Sequence, residues 1–554
     1  MSRALKYLGL CAGLFVSTTA AYASSNPVVH LPYGSFEGNN TPGGLDIFLG
    51  IPFAAPPIGA RRFALPEPPL LFKGIRKAHS FGAACPQQVA PPPPELPIPF
   101  PPIINSVSED CLFINVYKPS KIPKSTKLPV LFWIYGGGFE IGDTSSSNAS
   151  DLIRRSIALD EPVIYVSANY RLNAFGFLGG REVKEAGIGN AGLQDQVAAL
   201  QWVQKYITQF GGDPGRVTIW GESAGAISVG FHMIFNDGNP KGLFAGAIME
   251  SGSPNPLPKI ESRQQWFDSL VDATKCSGSS DLLECLRRIP YEQLLAAINQ
   301  TPNIFSYNSV NPVWTPMVDG RLISRDPWVS LKQGKYAKVP FITGVDEDEG
   351  TLFSYSSLNV TTNSQFLEYV KSNFLHNITD AQLQAVASAY PEDPAKGSPF
   401  HTGTSDAFTP EFKRISAFQG DMFIQAPRRH FLAIASNTQN AYAYRYARGI
   451  TFPGLGAFHS SELGEFYGQE KGTNFIGADS VVFFAIYGNP NAPKNSISHL
   501  SNITWDKWSS SSKNPPLLTF IDPAPSVNIT LDTFRQAPIQ LLVDLLPTKI
   551  GNPF

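Results

Sequence analysis

The stretch VTIWGESAGAIS, residues 217–228, runs four β-forming residues into a Gly-Glu-Ser-Ala-Gly turn and then into small residues. Gly221 and Gly225 indicate a bend that is too tight for side chains, with Ser223 at its tip. This G-x-S-x-G pattern is typical of a sharp turn between a strand and a helix that exposes a serine hydroxyl. Because short Gly/Ser motifs also occur by chance, the motif alone leaves an ordinary turn and a reactive serine equally open. The surrounding sequence decides between them.

Predicted strands and helices alternate around this stretch. Val130–Tyr135 suits a buried strand, and residues 161–170 contain another. Apolar residues at helical spacing predict a helix within residues 192–213, which stops at a Gly-Gly pair. Further strands are predicted at residues 244–251 and 338–345. This alternation indicates a parallel α/β sheet with the serine turn at the carboxyl end of a strand, where such folds place their ligands.

Composition and charge describe a globular protein with a large core. Hydrophobic residues make up 43% of the 554 residues and charged residues 16%, which excludes a disordered chain. No internal repeat or long linker follows residue 24, so residues 24–554 are predicted to form a single domain. The formal net charge of −2 gives no electrostatic reason to expect nucleic acid or an anionic membrane as a partner.

The N-terminus has the composition of a secretory signal peptide. Two basic residues precede an apolar run over residues 8–16, and a small-residue cleavage site follows, so residues 1–23 are predicted to be removed. The apolar run is far shorter than the roughly 20 residues of a membrane span. The segment 539–554 is interrupted by Asp544 and Pro547, which argues against a transmembrane helix or a lipid anchor. We therefore expect a secreted, extracellular protein.

The cysteines agree with that compartment. Cys11 leaves with the signal peptide, and the other four of the five cysteines form two sequence-local pairs. We predict disulfides between Cys85 and Cys111 and between Cys276 and Cys285. A metal site is the alternative, but no cysteine lies two residues from another and no histidine is nearby, so no metal is expected. N-x-S/T sequons, consistent with a glycosylating pathway, occur at Asn39, Asn148, Asn299, Asn359, Asn377, Asn502 and Asn528.

A reactive serine needs a base to take its proton, an acid to orient that base and donors for the developing oxyanion. In proteins with this turn, the acid and then the histidine follow the serine along the chain. His459 is the favoured base, because it lies on a glycine-rich loop after the strand-like residues 441–447. The less favoured histidines are His376, His401, His430 and His499. Of these, His376 beside a sequon and His430 after two arginines are expected at the surface.

The sequence restricts the acid and the oxyanion donors less tightly. Residues 346–349, Asp-Glu-Asp-Glu, follow a predicted strand and offer four candidate acids, or they form a solvated acidic loop. One oxyanion donor is the backbone N–H of Ala224, the residue after the serine. The others come from a glycine-rich turn after an earlier strand, which Gly136–Gly138 fit. Close packing alone is the alternative role for three successive glycines.

Matching motifs then extend along nearly the whole chain: FLGIPFAAPPIGARRF, SEDCLFINVY, WIYGGGFE, ANYRL, GNAGLQDQ, FGGDPGRVTIWGESAGA, ESGSP, DEDEGTLF and GAFHSSE. In combination they resemble the type-B carboxylesterase/lipase family, which includes cholinesterases and fungal lipases of the Candida rugosa and Geotrichum types. The resemblance implies an α/β-hydrolase fold, with a mostly parallel central sheet flanked by helices. It also implies a secreted serine carboxylic ester hydrolase, a lipase or esterase, that acts on lipophilic esters through an acyl-enzyme intermediate. No cofactor is expected.

The resemblance assigns the side chains of the predicted site position by position. It makes Ser223 the nucleophile, His459 the base and Glu349, the last acid of the acidic run, the orienting carboxylate. It thereby selects one of the four candidate acids. Glu222, beside the nucleophile, matches a second acid near the triad, and here a structural role is as open as a catalytic one.

The resemblance also covers backbone donors and fold residues. Gly137, Gly138 and Ala224 match the three N–H donors of the family's oxyanion hole. Arg62 and Glu109 match a buried structural ion pair, and the two predicted disulfides match those of the family.

The first predicted disulfide loop departs from the family in ways that bear on the substrate. Residues 86–110 contain no Trp or Tyr, which argues against a choline ester, since in cholinesterases a tryptophan of this loop faces the cation. The loop 85–111 is rich in proline, which predicts a stiff flap without a helix and little activation at a lipid–water interface. Such an interface is retained as a candidate partner. The predicted apolar side of this flap is Leu96, Ile98, Phe100, Ile103 and Ile104.

Three aromatic residues bear on the acyl group. Phe139, Trp314 and Phe353 align with positions that line the family's acyl pocket, which implies an apolar acyl chain, or they are core aromatics. A sterol, carotenoid or aryl (feruloyl-type) esterase is the alternative enzyme, because selectivity depends on pocket shape. The non-enzyme alternative is a catalytically inactive, cholinesterase-like binding protein. It is disfavoured because nucleophile, acid and base are all present.

Overall fold

A computed structural model of the chain describes residues 26–98, 106–123 and 126–549. The predicted signal peptide, residues 1–23, lies outside the described residues, as do Phe100, Ile103 and Ile104 of the predicted flap. The strands are β1 (Val28–Leu31), β2 (Gly34–Glu37), β3 (Asn39–Thr41), β4 (Leu45–Pro52), β5 (Ile75–Lys77), β6 (Phe113–Pro119), β7 (Leu128–Ile134), β8 (Ile164–Ala168), β9 (Gly212–Glu222), β10 (Gly246–Glu250), β11 (Phe341–Asp346), β12 (Ala441–Ala447), β13 (Pro516–Ile521) and β14 (Val527–Leu531).

The α-helices follow the same chain order. They are α1 (Ser150–Ala158), α2 (Asn173–Phe177), α3 (Arg181–Ala186), α4 (Ala191–Tyr206), α5 (Ala224–Gly238), α6 (Gln264–Ala273), α7 (Leu282–Arg288), α8 (Tyr291–Ile298), α9 (Pro327–Lys332), α10 (Thr351–Ser354), α11 (Asn363–Asn373), α12 (Asp380–Ala389), α13 (Phe412–Gly420), α14 (Ala426–Ala435), α15 (Leu463–Phe466), α16 (Ile476–Tyr487) and α17 (Gln536–Lys549).

The centre of the molecule is a large mixed sheet. In the described part of the chain it holds 11 strands in the order β14-β13-β12-β11-β10-β9-β7-β8-β6-β4-β3. Neighbouring strands run parallel from β8 to β13. The pairs at both edges are antiparallel. A separate sheet of 3 strands contains β1, β2 and β5. The predicted α/β-hydrolase architecture, with a mostly parallel central sheet, is confirmed.

The central strands form the core. Every residue of β7, β8, β10 and β11 is buried, as expected when helices cover both faces of a parallel sheet. Helix α5 packs against β7, β9 and β10 and so fixes the turn that precedes it. The rings of Trp133 on β7 and Trp220 on β9 are 4.6 Å apart, and Tyr467 stacks on Trp220 at 4.9 Å.

The predicted central elements lie where the apolar patterns place them. The two strands predicted before the serine turn are β7 and β8, and the two after it are β10 and β11. The predicted helix is α4, extended by a 3-10 turn to Phe210. Gly211, with a φ of 88°, ends that turn in the left-handed conformation that a glycine adopts without strain.

Two disulfides are present, as predicted. Cys85 is bonded to Cys111, and Cys276 to Cys285. The predicted ion pair of Arg62 and Glu109 is also found, with both guanidinium–carboxylate contacts at 2.6 and 2.7 Å. It lies close to the base of the first disulfide loop.

The described part of the flap is anchored by hydrogen bonds and contains no helix. Gln88 donates from its backbone N–H to the carbonyl of Glu140 at 3.0 Å. The N–H of Val89 donates to the side-chain oxygen of Asn299 at 2.9 Å. The side chains of Leu96 and Ile98 are half-buried against the core, so the first limb of the flap is tied to the body of the protein. Throughout the described residues, every helix falls short of the length and apolar character that crossing a membrane requires.

The sequence places two histidines at the surface, and one of them lies elsewhere. His430 is only 9% exposed and its ring stacks on Trp328 at 3.9 Å. His376 is half-buried and lines a cavity that also contains Ser223. The expectation for His430 was wrong, because α14 turns it inward although two arginines precede it. His376 lies in the segment after α11 and is only partly exposed.

Candidate active site

The serine turn joins β9 to α5 in a strained conformation. Ser223 has φ 55° and ψ −125°, which is rare for a residue with a side chain. A Cβ atom on Gly225 would lie 1.9 Å from the carbonyl oxygen of Ile134, and one on Gly221 would lie 2.5 Å from the carbonyl carbon of Gly225. Both positions therefore require glycine. The turn presents the half-buried Ser223 hydroxyl beyond the end of the sheet.

The three predicted triad side chains meet at this turn. His459 Nε2 lies 2.8 Å from Ser223 Oγ, and His459 Nδ1 lies 2.6 Å from Glu349 Oε2. The other oxygen of Glu349 accepts the backbone N–H of Asp346 at 2.8 Å, which fixes the carboxylate. A continuous chain of hydrogen bonds thus runs from a buried carboxylate through the imidazole to the serine hydroxyl.

The four acids of the 346–349 run are all buried, so they do not form a solvated loop. Asp348 holds the loop of His459 in place, because its Oδ2 accepts the backbone N–H of Ala457 at 3.0 Å. Its Oδ1 accepts the hydroxyl of Ser398 and the N–H of Phe400, both at 2.7 Å. Sequence reasoning did not assign this role, which depends on contacts across more than one loop.

Glu347 points away from the serine. Its oxygens lie 3.2 Å from Arg445 Nε and 3.5 Å from Arg535 Nη1. Burial alone would raise the pKa of Glu347. His401 and the two arginines outweigh this effect and lower the pKa of Glu347. Glu347 is therefore a paired charge of the core, and it has no contact with His459.

Glu222 lies directly beside the predicted base. Its Oε1 is 3.3 Å from His459 Nε2 and accepts the hydroxyl of Ser460 at 2.6 Å. Burial alone would lower the pKa of His459. The charges of Glu222 and Glu349 outweigh this effect and raise the pKa of His459 to about 9. The negative charge of Glu222 therefore stabilises the imidazolium form of His459.

A group of buried carboxyls lies behind the triad. No donor reaches the side-chain oxygens of Glu250, Asp346 or Glu462 among the described residues. Burial and the charge of Glu462 raise the pKa of Glu250 and that of Asp346 well above their ordinary values. Burial and the charge of Glu222 raise the pKa of Glu462 to about 8. The raised pKa values favour the protonated form of these carboxyls.

The sequence contains only weak signals for this carboxyl group. Glu462 follows the predicted base by three residues, and Glu250 ends a predicted strand, but neither position alone indicates a shared cluster. Within the described residues, no group of three or more His, Cys, Asp or Glu side chains is arranged to hold a metal ion.

The predicted oxyanion donors surround the serine turn. Gly137 and Gly138 have φ angles of 100° and 65° in the turn after β7, and their N–H groups donate to no acceptor in the described part of the chain. Ala224 is the first residue of α5, where a backbone N–H has no intrahelical partner. A Cβ atom on Gly136 would lie 2.8 Å from Ser223 Cβ, so this turn and the serine turn approach too closely for a side chain.

A cavity with a mainly apolar lining opens at the serine. Phe139 and Phe353 line it, together with Ser223 and His459, and the Phe353 ring lies 5.1 Å from that of His459. Trp314 is not among the residues that line this cavity, which agrees with the alternative of a core aromatic. It is fully buried, and its indole N–H donates to the Thr301 hydroxyl at 2.9 Å.

Comparison with known proteins gives matches along nearly the whole chain. The profile of the carboxylesterase family matches residues 25–532. The chain is 38% identical to a secreted triacylglycerol lipase of Gibberella zeae, over 92% of this chain and 88% of that protein. It is 39% identical to lipase 4 of Diutina rugosa, over 82% of this chain and 85% of the lipase. The solved structure of Aspergillus niger EstA matches with a TM-score of 0.80 at 29% identity and covers 94% of this chain and 98% of its own. These matches confirm the resemblance that the motifs indicate.

Proposed function

We propose a mechanism and a substrate class for this chain, which belongs to the carboxylesterase family and is a carboxylic ester hydrolase. The substrates are lipophilic carboxylic esters, and the reaction proceeds through an acyl-enzyme on Ser223. The observation that carries the proposal is the hydrogen-bonded chain of Glu349, His459 and Ser223 at the edge of an apolar cavity.

In the acylation step, Ser223 Oγ attacks the ester carbonyl carbon while His459 Nε2 takes the hydroxyl proton. The carbonyl oxygen becomes an oxyanion that accepts hydrogen bonds from the N–H groups of Gly137, Gly138 and Ala224. His459 then gives its proton to the alkoxy oxygen. The bond between the carbonyl carbon and that oxygen breaks, the alcohol leaves, and the acyl group remains on the serine.

In the deacylation step, a water molecule takes the place of the serine hydroxyl. His459 removes a proton from the water as its oxygen attacks the acyl carbon, and then returns the proton to Ser223 Oγ as the acid leaves. Glu349 keeps Nδ1 of His459 protonated, and Glu349 and Glu222 together stabilise the imidazolium that exists between the two proton transfers. This division of roles follows from their contacts with opposite nitrogens of the ring.

The apolar cavity supports a lipophilic acyl group, because Phe139, Phe353 and further aliphatic side chains line it. The names of the Gibberella and Diutina relatives, a triacylglycerol lipase and a lipase, support fatty-acyl esters as the substrate class. We also propose secretion. It is supported by the signal-like residues 1–23, by the two disulfides and by the word "secreted" in the Gibberella relative's name.

The proposal is tested by covalent labelling and turnover. Ser223→Ala should abolish labelling by an alkyl organophosphonate and lower kcat by several orders of magnitude, as loss of a triad nucleophile does. Ser228→Ala, on the same helix but without contact to His459, is the matched control and should label normally. Labelling of the Ser223 variant at the wild-type rate would overturn the assignment. A panel of nitrophenyl esters of increasing chain length, with a triglyceride and a sterol ester, then defines the preferred substrate.

A further inference from the structure

Among the described residues, one arginine lies in the wall of this mainly apolar cavity. Arg263 and His376 line the same cavity as Ser223. Around them the lining is dominated by side chains such as Phe231, Leu257 and Phe374. A guanidinium group is an unusual component of a site for a hydrocarbon chain, because moving it out of water costs free energy unless an anion or several acceptors compensate.

Among the described residues, Arg263 has no anionic partner. Its Nε is buried without a hydrogen-bond partner, and no ion pair or side-chain hydrogen bond to a described residue involves its guanidinium. Every Asp and Glu of the chain lies within the described residues, so the missing partner is not an acidic side chain of the undescribed segments. Burial lowers the pKa of Arg263 to about 10, and no carboxylate offsets that effect.

The buried arginines of the core differ from Arg263 because each is paired with a carboxylate. The five that are buried each have a carboxylate partner: Arg62 with Glu109, Arg171 with Asp195, Arg414 with Glu411, Arg428 with Asp532 and Arg448 with Glu465. Arg263 is half-buried, faces the cavity and lacks such a partner. The position thus holds a cation whose natural complement is an anion delivered by a ligand.

The neighbouring polar groups of the cavity are not anions, so they do not pair with Arg263 in place of a ligand. Burial and the positive charge of Arg263 lower the pKa of His376, although a hydrogen bond to the backbone of Lys371 opposes this shift. Asn311 uses its amide to donate to the carbonyl of Asn373 at 2.7 Å, and Asn255 donates to the carbonyl of Phe423 at 3.3 Å. The two asparagines are thereby held to the wall, and none of these groups is an acid.

We infer that Arg263 is a specificity residue for acyl chains that carry a carboxylate away from the ester, that is, for monoesters of dicarboxylic acids. The inference rests on the proposed function of the Ser223 site. With the ester carbonyl at Ser223 and the methylene chain along the apolar wall, the free carboxylate pairs with the guanidinium of Arg263. The ester chemistry is unchanged, since Arg263 contacts only the remote end of the substrate.

The experiment compares kcat/KM for nitrophenyl monoesters of linear dicarboxylic acids with kcat/KM for nitrophenyl alkanoates of equal chain length. Wild-type enzyme, Arg263→Gln, Arg263→Lys and the exposed control Arg181→Gln are assayed across a series of chain lengths. At the length that spans the cavity, Arg263→Gln should lower the monoester-to-alkanoate ratio by roughly 10-fold or more, as loss of a charge-assisted hydrogen bond does. Arg263→Lys should restore part of the ratio, and Arg181→Gln should leave it unchanged.

The outcomes separate this inference from the proposed function. Loss of activity on both substrate series in Ser223→Ala, with alkanoate turnover retained in Arg263→Gln, is the expected pattern. An unchanged ratio at every chain length in Arg263→Gln would overturn the role of Arg263 while leaving the esterase assignment intact. If free alkanoic acids inhibit wild type but not Arg263→Gln, and the ratio does not change, the guanidinium binds product acids and the substrate inference is wrong.

A binding measurement covers the case in which Arg263→Gln folds poorly. The Ser223→Ala protein is heated with and without a linear dicarboxylic acid, and Tm is recorded. A rise in Tm that is larger than the rise given by a monocarboxylic acid of equal length supports the inference, because ligands that bind only the folded state stabilise it. Equal rises with the two acids would count against it.

Discussion

At the scale of single residues, four adjacent acids have separate tasks. Glu349 accepts a hydrogen bond from the imidazole, Asp348 holds the loop of His459, and Glu347 pairs with arginines. Asp346 belongs to the buried carboxyls behind the triad, and burial raises its pKa. The spacing of these four acids along the chain does not predict their different contacts. The contacts differ because the side chains of successive residues at the end of β11 and after it point in different directions and contact residues of different loops.

The first prediction contrasts two of these acids. Glu349→Gln should lower kcat by roughly 10⁴-fold, because an amide in place of the carboxylate favours the wrong imidazole tautomer and no longer stabilises the imidazolium. Glu347→Gln should leave kcat within a few-fold of wild type and lower Tm, since Arg445 and Arg535 lose a buried partner. Steady-state kinetics and thermal melts of the two variants check this, and the reverse pattern would mean that the acid is misassigned.

The second prediction concerns pH. Only neutral His459 accepts the serine proton, so kcat/KM should rise as pH rises through the pKa of His459, which is about 9 with Glu222 and Glu349 beside it. Glu222→Gln removes a negative charge 3.3 Å from Nε2. The pKa of His459 then falls, and the acidic limb of the profile should move to lower pH by about one unit. Glu368→Gln, on the exposed face of α11, is the control, and identical limbs in all three proteins would refute this role of Glu222.

Local patterns predicted some site residues and not others. The serine turn, its glycines and the histidine loop are short-range features, because backbone conformation there demands particular residue types. Glu250, Asp348 and Glu462 depend on contacts between distant segments, and no spacing reports them. The same limit explains Trp314. A large aromatic residue suits a pocket wall or the core, and the sequence does not show that Trp314 is buried with its indole N–H on Thr301.

At the scale of elements, the apolar runs predicted the parallel centre of the sheet but not its edges. Strands buried on both faces read as continuous apolar segments, which is why β7, β8, β10 and β11 were foreseeable. Strand β14 is largely exposed or half-buried and lacks such a run. Its place at the edge of the sheet is set by pairing with β13 and by the residue that follows it, Asp532.

Asp532 ties the edge of the sheet to α14. Its two oxygens accept the guanidinium of Arg428 at 2.8 and 2.9 Å, and they also accept Arg429 and the indole N–H of Trp508. Burial alone would raise the pKa of Asp532. The two arginines outweigh this effect and lower the pKa of Asp532 to about 2. The third prediction follows from this pair. Asp532→Asn should lower the free energy of unfolding by about 3–5 kcal/mol, because it leaves buried cations unpaired.

The pH dependence of that stability has a definite sign. An Asp whose pKa is depressed in the folded state stabilises the fold fully above its unfolded pKa of about 3.9, and the contribution is lost as pH falls toward the folded value. Wild type should therefore lose more stability than Asp532→Asn between about pH 4 and pH 2. Denaturant unfolding at both pH values measures this difference, with the exposed Asp506→Asn as control. Parallel losses in wild type and Asp532→Asn would show that the pair does not stabilise the fold.

At the scale of the whole molecule, the two disulfide loops meet at one arginine. Arg62 binds Glu109 from the first loop, and its Nη1 donates to the carbonyls of Leu286, Arg287 and Ile289 beyond the second loop, at 3.1, 3.1 and 2.6 Å. From the sequence the second loop had no connection to the first. The hydrogen bonds of Arg62 can hold Glu109 whether or not the second disulfide is closed, so the two disulfides are expected to have different effects on the site.

The last prediction separates these effects. The disulfide at Cys85 closes a loop with a sequence separation of 26, which stabilises the fold by roughly 3.5 kcal/mol in the chain-entropy model. The disulfide at Cys276 spans 9 residues and contributes roughly 2.5 kcal/mol by the same estimate. Replacing either pair by serines should therefore lower Tm. Replacing the first pair should also change the ratio of long-chain to short-chain ester turnover. The limb after Cys85 is hydrogen-bonded to Glu140 and Gly142, next to the predicted oxyanion turn.

Opening the first loop frees that limb to move relative to the cavity mouth, and a long acyl chain, which contacts more of the cavity than a short one, should be affected more. Opening the second loop leaves Arg62 and the flap hydrogen bonds in place, so its chain-length profile should match wild type. Both double-serine variants are assayed well below their Tm on nitrophenyl esters of increasing length. Matching profiles in the two variants would mean that the first disulfide only stabilises the fold, whereas a profile change confined to the second would place the selective contact beyond Arg62.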